Sequence, residues 1–225
     1  MSRIFAQTTV QEGSFEVAHS AVYGVNAPNT NFTVNPGAIL QGGVAGTVAV
    51  NQFTLQSGAT FNIAGNAPPA QGFSVFTIDA ARASFESGSR ILFNTELNDA
   101  SVQHTDLLVL NHAITDAPGG ILVTNFGGTG GETGDRAGIR LVEAINGATT
   151  TPNNFTLLNG ELRAGAFTYD LFRGGLNPGN FSNDWFLRSD FVAPPIPPEP
   201  PVVPPVVPPI PPFPIDPPPN PLPPG

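Results

Sequence analysis

From Pro194 to Gly225, 19 of 32 residues are proline, and this tract restricts the fold more than any other feature of the chain. A proline has no backbone N–H to donate and holds φ at about −65°, so such a run joins neither a helix nor the interior of a sheet. It is extended polyproline II or disorder, and at ~3.1 Å per residue it would reach about 100 Å when fully drawn out. Its only charges are Glu199 and Asp216. The flanking Arg or Lys of SH3 and WW ligands is missing, so a spacer is the better reading. A spacer separates two bodies, and residues 1–193 supply one of them. The expectation is that the chain is part of something larger.

The rest of the chain has the texture of an all-β protein. Nothing between Met1 and Ala193 sustains a 3.6-residue apolar period. Short apolar runs are instead punctuated by glycines, of which the chain has 25, and by Asn, Thr and Ser. A weak repeat is present. Phe32-Thr-Val-Asn-Pro-Gly37-Ala-Ile-Leu40 is echoed by Phe53-Thr-Leu-Gln-Ser-Gly58-Ala-Thr-Phe61, and a third copy is Phe85-Glu-Ser-Gly88-Ser-Arg-Ile91. Each reads as two short strands meeting at a glycine corner, with apolar side chains on one side. A spacing of roughly 20–30 residues suits one circuit of a β-solenoid. Ala64–Gly72, with Pro68 and Pro69, reads as a loop thrown out of one circuit. A β-sandwich of short hairpins is the alternative architecture.

Further strand-like runs are Asp106–Leu110, Gly120–Thr124, Gly138–Glu143, Asn154–Leu158, Ala166–Phe172 and Trp185–Leu187. Asn159-Gly160 signals a hairpin between Phe155–Leu158 and Glu161–Arg163. Gly174–Asn183 reads as a longer connection between the last two strands. Large rings concentrate in this end: Phe155, Phe167, Tyr169, Phe172, Phe181, Trp185 and Phe186.

Charge and composition exclude several classes. Eight arginines, no lysine and seventeen carboxylates give a net charge of −9. This argues against nucleic acid and anionic membrane surfaces, which require clustered cations. Without cysteine there is no disulfide, Cys-based zinc site or thiol nucleophile. No run approaches the ~18 apolar residues of a transmembrane helix. Met1–Gln7 has no apolar stretch behind it to make a secretory leader. The expectation is that the functional polypeptide starts further upstream.

Reactive constellations are sparse. His104 lies near Asp106, but no Gly-x-Ser-x-Gly elbow accompanies them, and His104, His112 and His19 do not stand at zinc spacing. Gly127–Gly134 lacks the P-loop lysine and a following helix, so it reads as a flexible turn between two solenoid strands. Asp79, Glu86, Glu96, Asp99, Asp106, Glu143 and Asp170 are scattered and read as solvated positions.

Asp106-Leu-Leu-Val-Leu, Gly120-Ile-Leu-Val-Thr-Asn125, Gly138-Ile-Arg-Leu-Val-Glu143, Gly165-Ala-Phe-Thr-Tyr-Asp-Leu171 and Asp184-Trp-Phe-Leu-Arg-Ser189 resemble, in order and spacing, the C-terminal passenger region of pertactin-like autotransporters, the autochaperone or stem. The resemblance spans about Ser101–Asp190, and a proline-rich stretch after the passenger also occurs in that family. It implies a right-handed parallel β-helix, displayed on the cell surface or secreted, whose C-terminal coils fold first outside the outer membrane and template the rest. It implies an outer-membrane β-barrel translocator as partner, which this chain does not contain, and host or extracellular ligands as further candidates. It implies no cofactor.

The expected fold is thus all-β: a right-handed parallel β-helix with a C-terminal capping β-hairpin and an extended proline-rich tail. The expected divisions are 1–100 as passenger coils, 101–193 as the autochaperone-like end and 194–225 as linker. The expected function is that of a non-enzymatic passenger fragment of type V secretion. Its folding nucleus and cap would be Phe155, Phe167, Tyr169, Leu171, Phe172, Trp185, Phe186 and Leu187, with Ala166–Phe172 and Trp185–Leu187 covering the open edge of the solenoid. The alternatives are a β-solenoid enzyme that degrades polysaccharide and a sugar-binding adhesin.

Overall fold

The computed structural model describes residues 6–18, 20–24, 30–65, 72–116, 118–176 and 181–191. The proline tract, His19 and the centre of the expected loop at 66–71 lie outside them. Every regular element among the described residues is a strand. In β4 (Thr30–Val34), β5 (Ile39–Gln41), β6 (Thr47–Leu55), β7 (Thr60–Asn62), β8 (Val75–Phe85) and β9 (Arg90–Thr95), apolar residues alternate with polar or small ones. Phe32, Val34, Leu40, Phe53, Leu55 and Phe61 are fully buried, while their strand neighbours Thr33, Ile39, Gln41, Thr54, Thr60 and Asn62 are half-buried. The period-two rule decides this, because successive side chains leave opposite faces of a strand.

The remaining strands are β1 (Ala6–Val10), β2 (Ser14–Glu16), β3 (Val22–Tyr23), β10 (Leu107–Asn111), β11 (Ile114–Asp116), β12 (Gly119–Asn125), β13 (Ile139–Ile145), β14 (Phe155–Leu157), β15 (Leu162–Ala164), β16 (Phe167–Arg173) and β17 (Trp185–Phe191). They form two sheets. One runs β1-β4-β6-β8-β10-β13-β17-β16-β15, with β3 beside β6 and β11 beside β8; the other runs β14-β12-β9-β7-β5-β2. Pairing is parallel from β1 to β13 in the first sheet and throughout the second. An all-β body built on parallel strands is compatible with a solenoid. A sandwich of short hairpins is not, since hairpins pair antiparallel.

The glycine corners stack on one another. The Gly37 N–H donates to the Gly58 carbonyl at 3.0 Å, and the Gly58 N–H donates to that of Gly88 at 3.1 Å. All three sit at φ between +80° and +90°, a region that side chains other than glycine rarely enter. Phe32 pairs in register with Phe53, and Val34 with Leu55. In the third copy Phe85 falls on Leu55, because it precedes its glycine by fewer residues than Phe53 does. A further corner at Gly13 (φ +71°) accepts the Ile39 N–H at 2.8 Å. It escaped the sequence pattern because Thr8 stands where the next two copies carry Phe32 and Phe53.

Rings run through the interior in one chain of contacts. Phe15 meets Phe32 at 5.4 Å, Phe32 stacks on Phe53 at 6.0 Å, and Phe53 meets Phe85 at 5.8 Å. Phe85 meets Phe155 at 5.3 Å, and Phe155 meets Trp185 edge-on at 5.4 Å. Each buried ring contributes on the order of 1.5–3 kcal/mol by area alone. The chain of rings links the repeats to the last strand.

Asn159-Gly160 does not make the expected hairpin. β14 joins the second sheet and β15 the first, so the two flanking strands never pair. The Asn159 side chain completes a ladder instead: its Oδ1 accepts the Val123 N–H at 2.8 Å and its Nδ2 donates to the Val123 carbonyl at 2.7 Å.

Candidate functional site

After β13 the pairing reverses. β17 lies antiparallel to β13 on one side and to β16 on the other, and β15 follows antiparallel to β16. The sequence Trp185-Phe-Leu-Arg-Ser189 sorts its side chains by alternation. Trp185 and Leu187 enter the core cluster, whereas Phe186, only 1 % exposed, is buried outside it. Trp185 donates its indole N–H to Thr150 Oγ1 at 3.2 Å. Leu187 lies opposite Ile139 on β13 and Leu171 on β16. Phe186 is roofed by cations: the Arg140 guanidinium is 5.5 Å from its ring and that of Arg188 is 5.9 Å away.

Of the eight residues expected here, Phe155, Tyr169, Trp185, Phe186 and Leu187 are buried, and Phe167 and Leu171 are half-buried against the core. Phe172 stands apart. It is 41 % exposed and lies against Arg188, whose guanidinium is 5.1 Å from its ring. Phe181, grouped with these rings in the sequence, is 50 % exposed and packs under Arg140 at 4.6 Å.

Tyr169 was singled out in the sequence, but the long-range bonds that lock this segment in place were not legible there. Tyr169 is fully buried. Its phenol donates to the Asn98 carbonyl at 2.8 Å and accepts the Gly131 N–H at 2.9 Å. Ser189 Oγ donates to the Gly131 carbonyl at 2.7 Å and accepts the Thr133 N–H at 2.9 Å. The Gly130 N–H donates to the Leu97 carbonyl at 2.9 Å. The segment Gly127–Gly134 is therefore a turn between β12 and β13, as expected, but it is clamped rather than flexible. Gly128 and Gly130 are there for closeness. A Cβ on Gly128 would strike the Leu97 backbone, and one on Gly130 (φ +85°) would fall on the Ala164 carbonyl.

A second knot surrounds Thr150. Its Oγ1 accepts from Arg173 Nε at 2.9 Å, and its carbonyl accepts from Arg173 Nη2 at 2.6 Å. Asn183 Oδ1 accepts the Thr150 N–H at 3.0 Å. At the mouth of β17, the buried Asp184 accepts the Ala144 N–H at 2.9 Å and faces Arg140 Nε at 3.4 Å. Burial raises its pKa above the ordinary carboxylate range, against the lowering effects of the Ala144 N–H and Arg140. Asp106, 1 % exposed, behaves alike. It takes the Ser74 N–H at 2.8 Å and the Asn94 N–H at 2.7 Å, tying the approach to β8 to strand β9, and burial raises its pKa more than those bonds lower it. Burial also pushes the Tyr169 phenol up.

His104 and His112 each face a carboxylate. His104 Nδ1 lies 2.8 Å from Glu96 Oε2, and His112 Nδ1 lies 3.0 Å from Asp79 Oδ1. Among the described residues no three metal-ligating side chains gather, and no helix is long and apolar enough to cross a membrane. A groove of about 600 Å³ opens where β10 and β13 part, lined by Val75, Leu107, Arg136, Arg140 and Phe186 among others.

Fold and site together define an all-β protein of stacked parallel strands whose aromatic-rich end turns back antiparallel and is pinned to its own turns. Residues 49–171 match the family model of the type 1 autochaperone domain. The chain belongs to that family and carries an autochaperone region of the autotransporter kind. The probable autotransporter YfaL of Escherichia coli (strain K12) is 35 % identical to it over 118 residues, covering 51 % of this chain and 8 % of the relative. The chain thus spans a small part of that relative's length.

Proposed function

We propose that residues 101–193 are the capped C-terminal end of a right-handed parallel β-helix, and that this end folds first and templates residues 1–100 during export of an autotransporter passenger. Phe155, Phe167, Tyr169, Leu171, Phe172, Trp185, Phe186 and Leu187 form the nucleus and cap in this proposal, with Phe172 contributing from the surface. Residues 194–225 act as a spacer toward an outer-membrane β-barrel translocator, and the passenger resides at the cell surface or is secreted. No catalytic step is involved.

One observation carries the proposal: β17 pairs with both β13 and β16 while Tyr169 pins the turns at Asn98 and Gly131. Most partners of the end segment therefore belong to the end segment. The upstream strands depend on their neighbours in the stack, which makes each of them weak alone. Membership of the autochaperone family and the likeness to a probable autotransporter support the export setting.

Pulse-labelled hydrogen exchange during refolding of the intact chain tests the order. Amides of β13, β16 and β17 are expected to gain protection before those of β4–β7. Simultaneous protection, or earlier protection upstream, would remove the nucleus.

A further inference from the structure

The outer face of the first sheet carries polar residues along most of its length, for example Thr77 and Asp79 on β8. At one place it does not. Val75 is 41 % exposed and pairs in register with Leu107 on β10, so two aliphatic side chains stand side by side on that surface. They floor the groove of about 600 Å³, a volume within the ordinary range for small-molecule sites.

The groove exists because the ladder opens. β10 pairs with β13 only from Leu108 and Val142 onward. Ahead of that point Gln103 bridges the gap, accepting the Arg140 N–H at 2.9 Å and donating to the Gly138 carbonyl at 3.2 Å. With those backbone groups satisfied, the strands stay apart without leaving unpaired polar atoms in the wall. The opening is a built feature, not a defect in the sheet.

Its charge is opposite to that of the chain. Seventeen carboxylates and eight arginines are available, yet the described lining holds Arg136 and Arg140 and no carboxylate. Arg140 is held by Glu143 at 2.5 Å and by Asp184. Arg136 is freer: its side chain is about half exposed, and only its Nη1 is engaged, by the Asp99 carbonyl at 3.2 Å and the Asp99 carboxylate at 3.4 Å. A guanidinium with donors to spare at the rim of an aliphatic floor suits a ligand that has an apolar stem and one anionic head.

We propose that this groove binds a single-chain amphipathic anion, an alkyl carboxylate or alkyl phosphate, with the stem on Val75 and Leu107 and the head on Arg136. The proposal does not depend on the folding role. Calorimetric titration of the intact chain with decanoate, below its micelle-forming concentration, tests it. Decanol and decyltrimethylammonium vary the head, and Arg136→Gln and Val75→Asp vary the groove; both positions are solvent-facing, and a urea midpoint checks that each variant folds.

Saturable one-to-one binding of decanoate is expected, weakened about tenfold by Arg136→Gln and by the change to decanol. Val75→Asp and the cationic head are expected to abolish it. Three outcomes would overturn the proposal: no saturable binding, equal affinity in both variants, or adsorption to phosphatidylglycerol vesicles with none to the monomeric amphiphile.

Discussion

Tyr169 and Gly131 meet through the buried phenol, which accepts the glycine N–H at 2.9 Å and lies 3.0 Å from the glycine carbonyl. The same phenol reaches back across 71 positions of sequence to the Asn98 carbonyl. A side chain on β16 thus holds two turns that precede it by whole strands. Removing the hydroxyl while keeping the ring leaves the Gly131 N–H without its acceptor. Tyr169→Phe should cost about 1–3 kcal/mol in urea denaturation. A loss below a few tenths would mean that water replaces the hydroxyl and that the clamp is incidental.

Trp185 ends the chain of rings, edge-on to Phe155 and bonded to Thr150. Truncating it leaves a cavity between two sheets and frees the Thr150 knot. Trp185→Ala should destabilise the chain by ~3–5 kcal/mol. Phe172→Ala should cost under about 1 kcal/mol, because that ring lies at the surface, 41 % exposed. Equal losses from the two substitutions would contradict the burial pattern.

The glycine-rich turn offers a matched pair. Gly130→Ala places a methyl on the Ala164 carbonyl at a positive φ, while Gly134→Ala meets open space at φ +50°. The first should lose more than about 3 kcal/mol, strain and displacement together. The second should lose about 1–2 kcal/mol from the left-handed backbone alone. Thermal melts of the two variants decide between a clamped turn and a flexible one.

Asp106 and Asp184 set a pH dependence of definite sign. Both have folded pKa values raised above the ordinary carboxylate value, chiefly by burial. In the window between the unfolded and folded values the native state binds more protons than the unfolded chain, so stability is greater on the acid side and declines as pH rises through the folded values. Asp106→Asn should lower overall stability, since one of its two backbone bonds loses its acceptor, but it should also flatten that decline. Urea midpoints measured from just above the ordinary carboxylate pKa up to neutrality check this. An unchanged slope in the variant would assign the effect elsewhere.

Much of the body was legible because its signals are local. The alternation in Thr47–Leu55 and the corners at Gly37, Gly58 and Gly88 act within a few residues, and the structure stacks those corners as parallel neighbours. Asn159-Gly160 shows the limit. Its two residues satisfy every local criterion for a hairpin, yet the strands on either side go to different sheets, and Asn159 bonds to Val123, 36 positions away. The turn at Gly127–Gly134 fails in the same manner: glycine content signals freedom, whereas here it permits close approach to Leu97 and Ala164.

By itself, the sequence determined a β-rich body of short strands turning at glycines and an end crowded with rings. Each of these follows from φ preferences and side-chain alternation, which a residue carries wherever it stands. The tertiary structure alone decided that Phe186 is buried outside the core beneath Arg140 and Arg188, that Tyr169 locks Asn98 to Gly131, and that the sheet opens over Val75 and Leu107. These outcomes depend on which distant backbone groups are left needing a partner once the strands have stacked, and no local pattern encodes that.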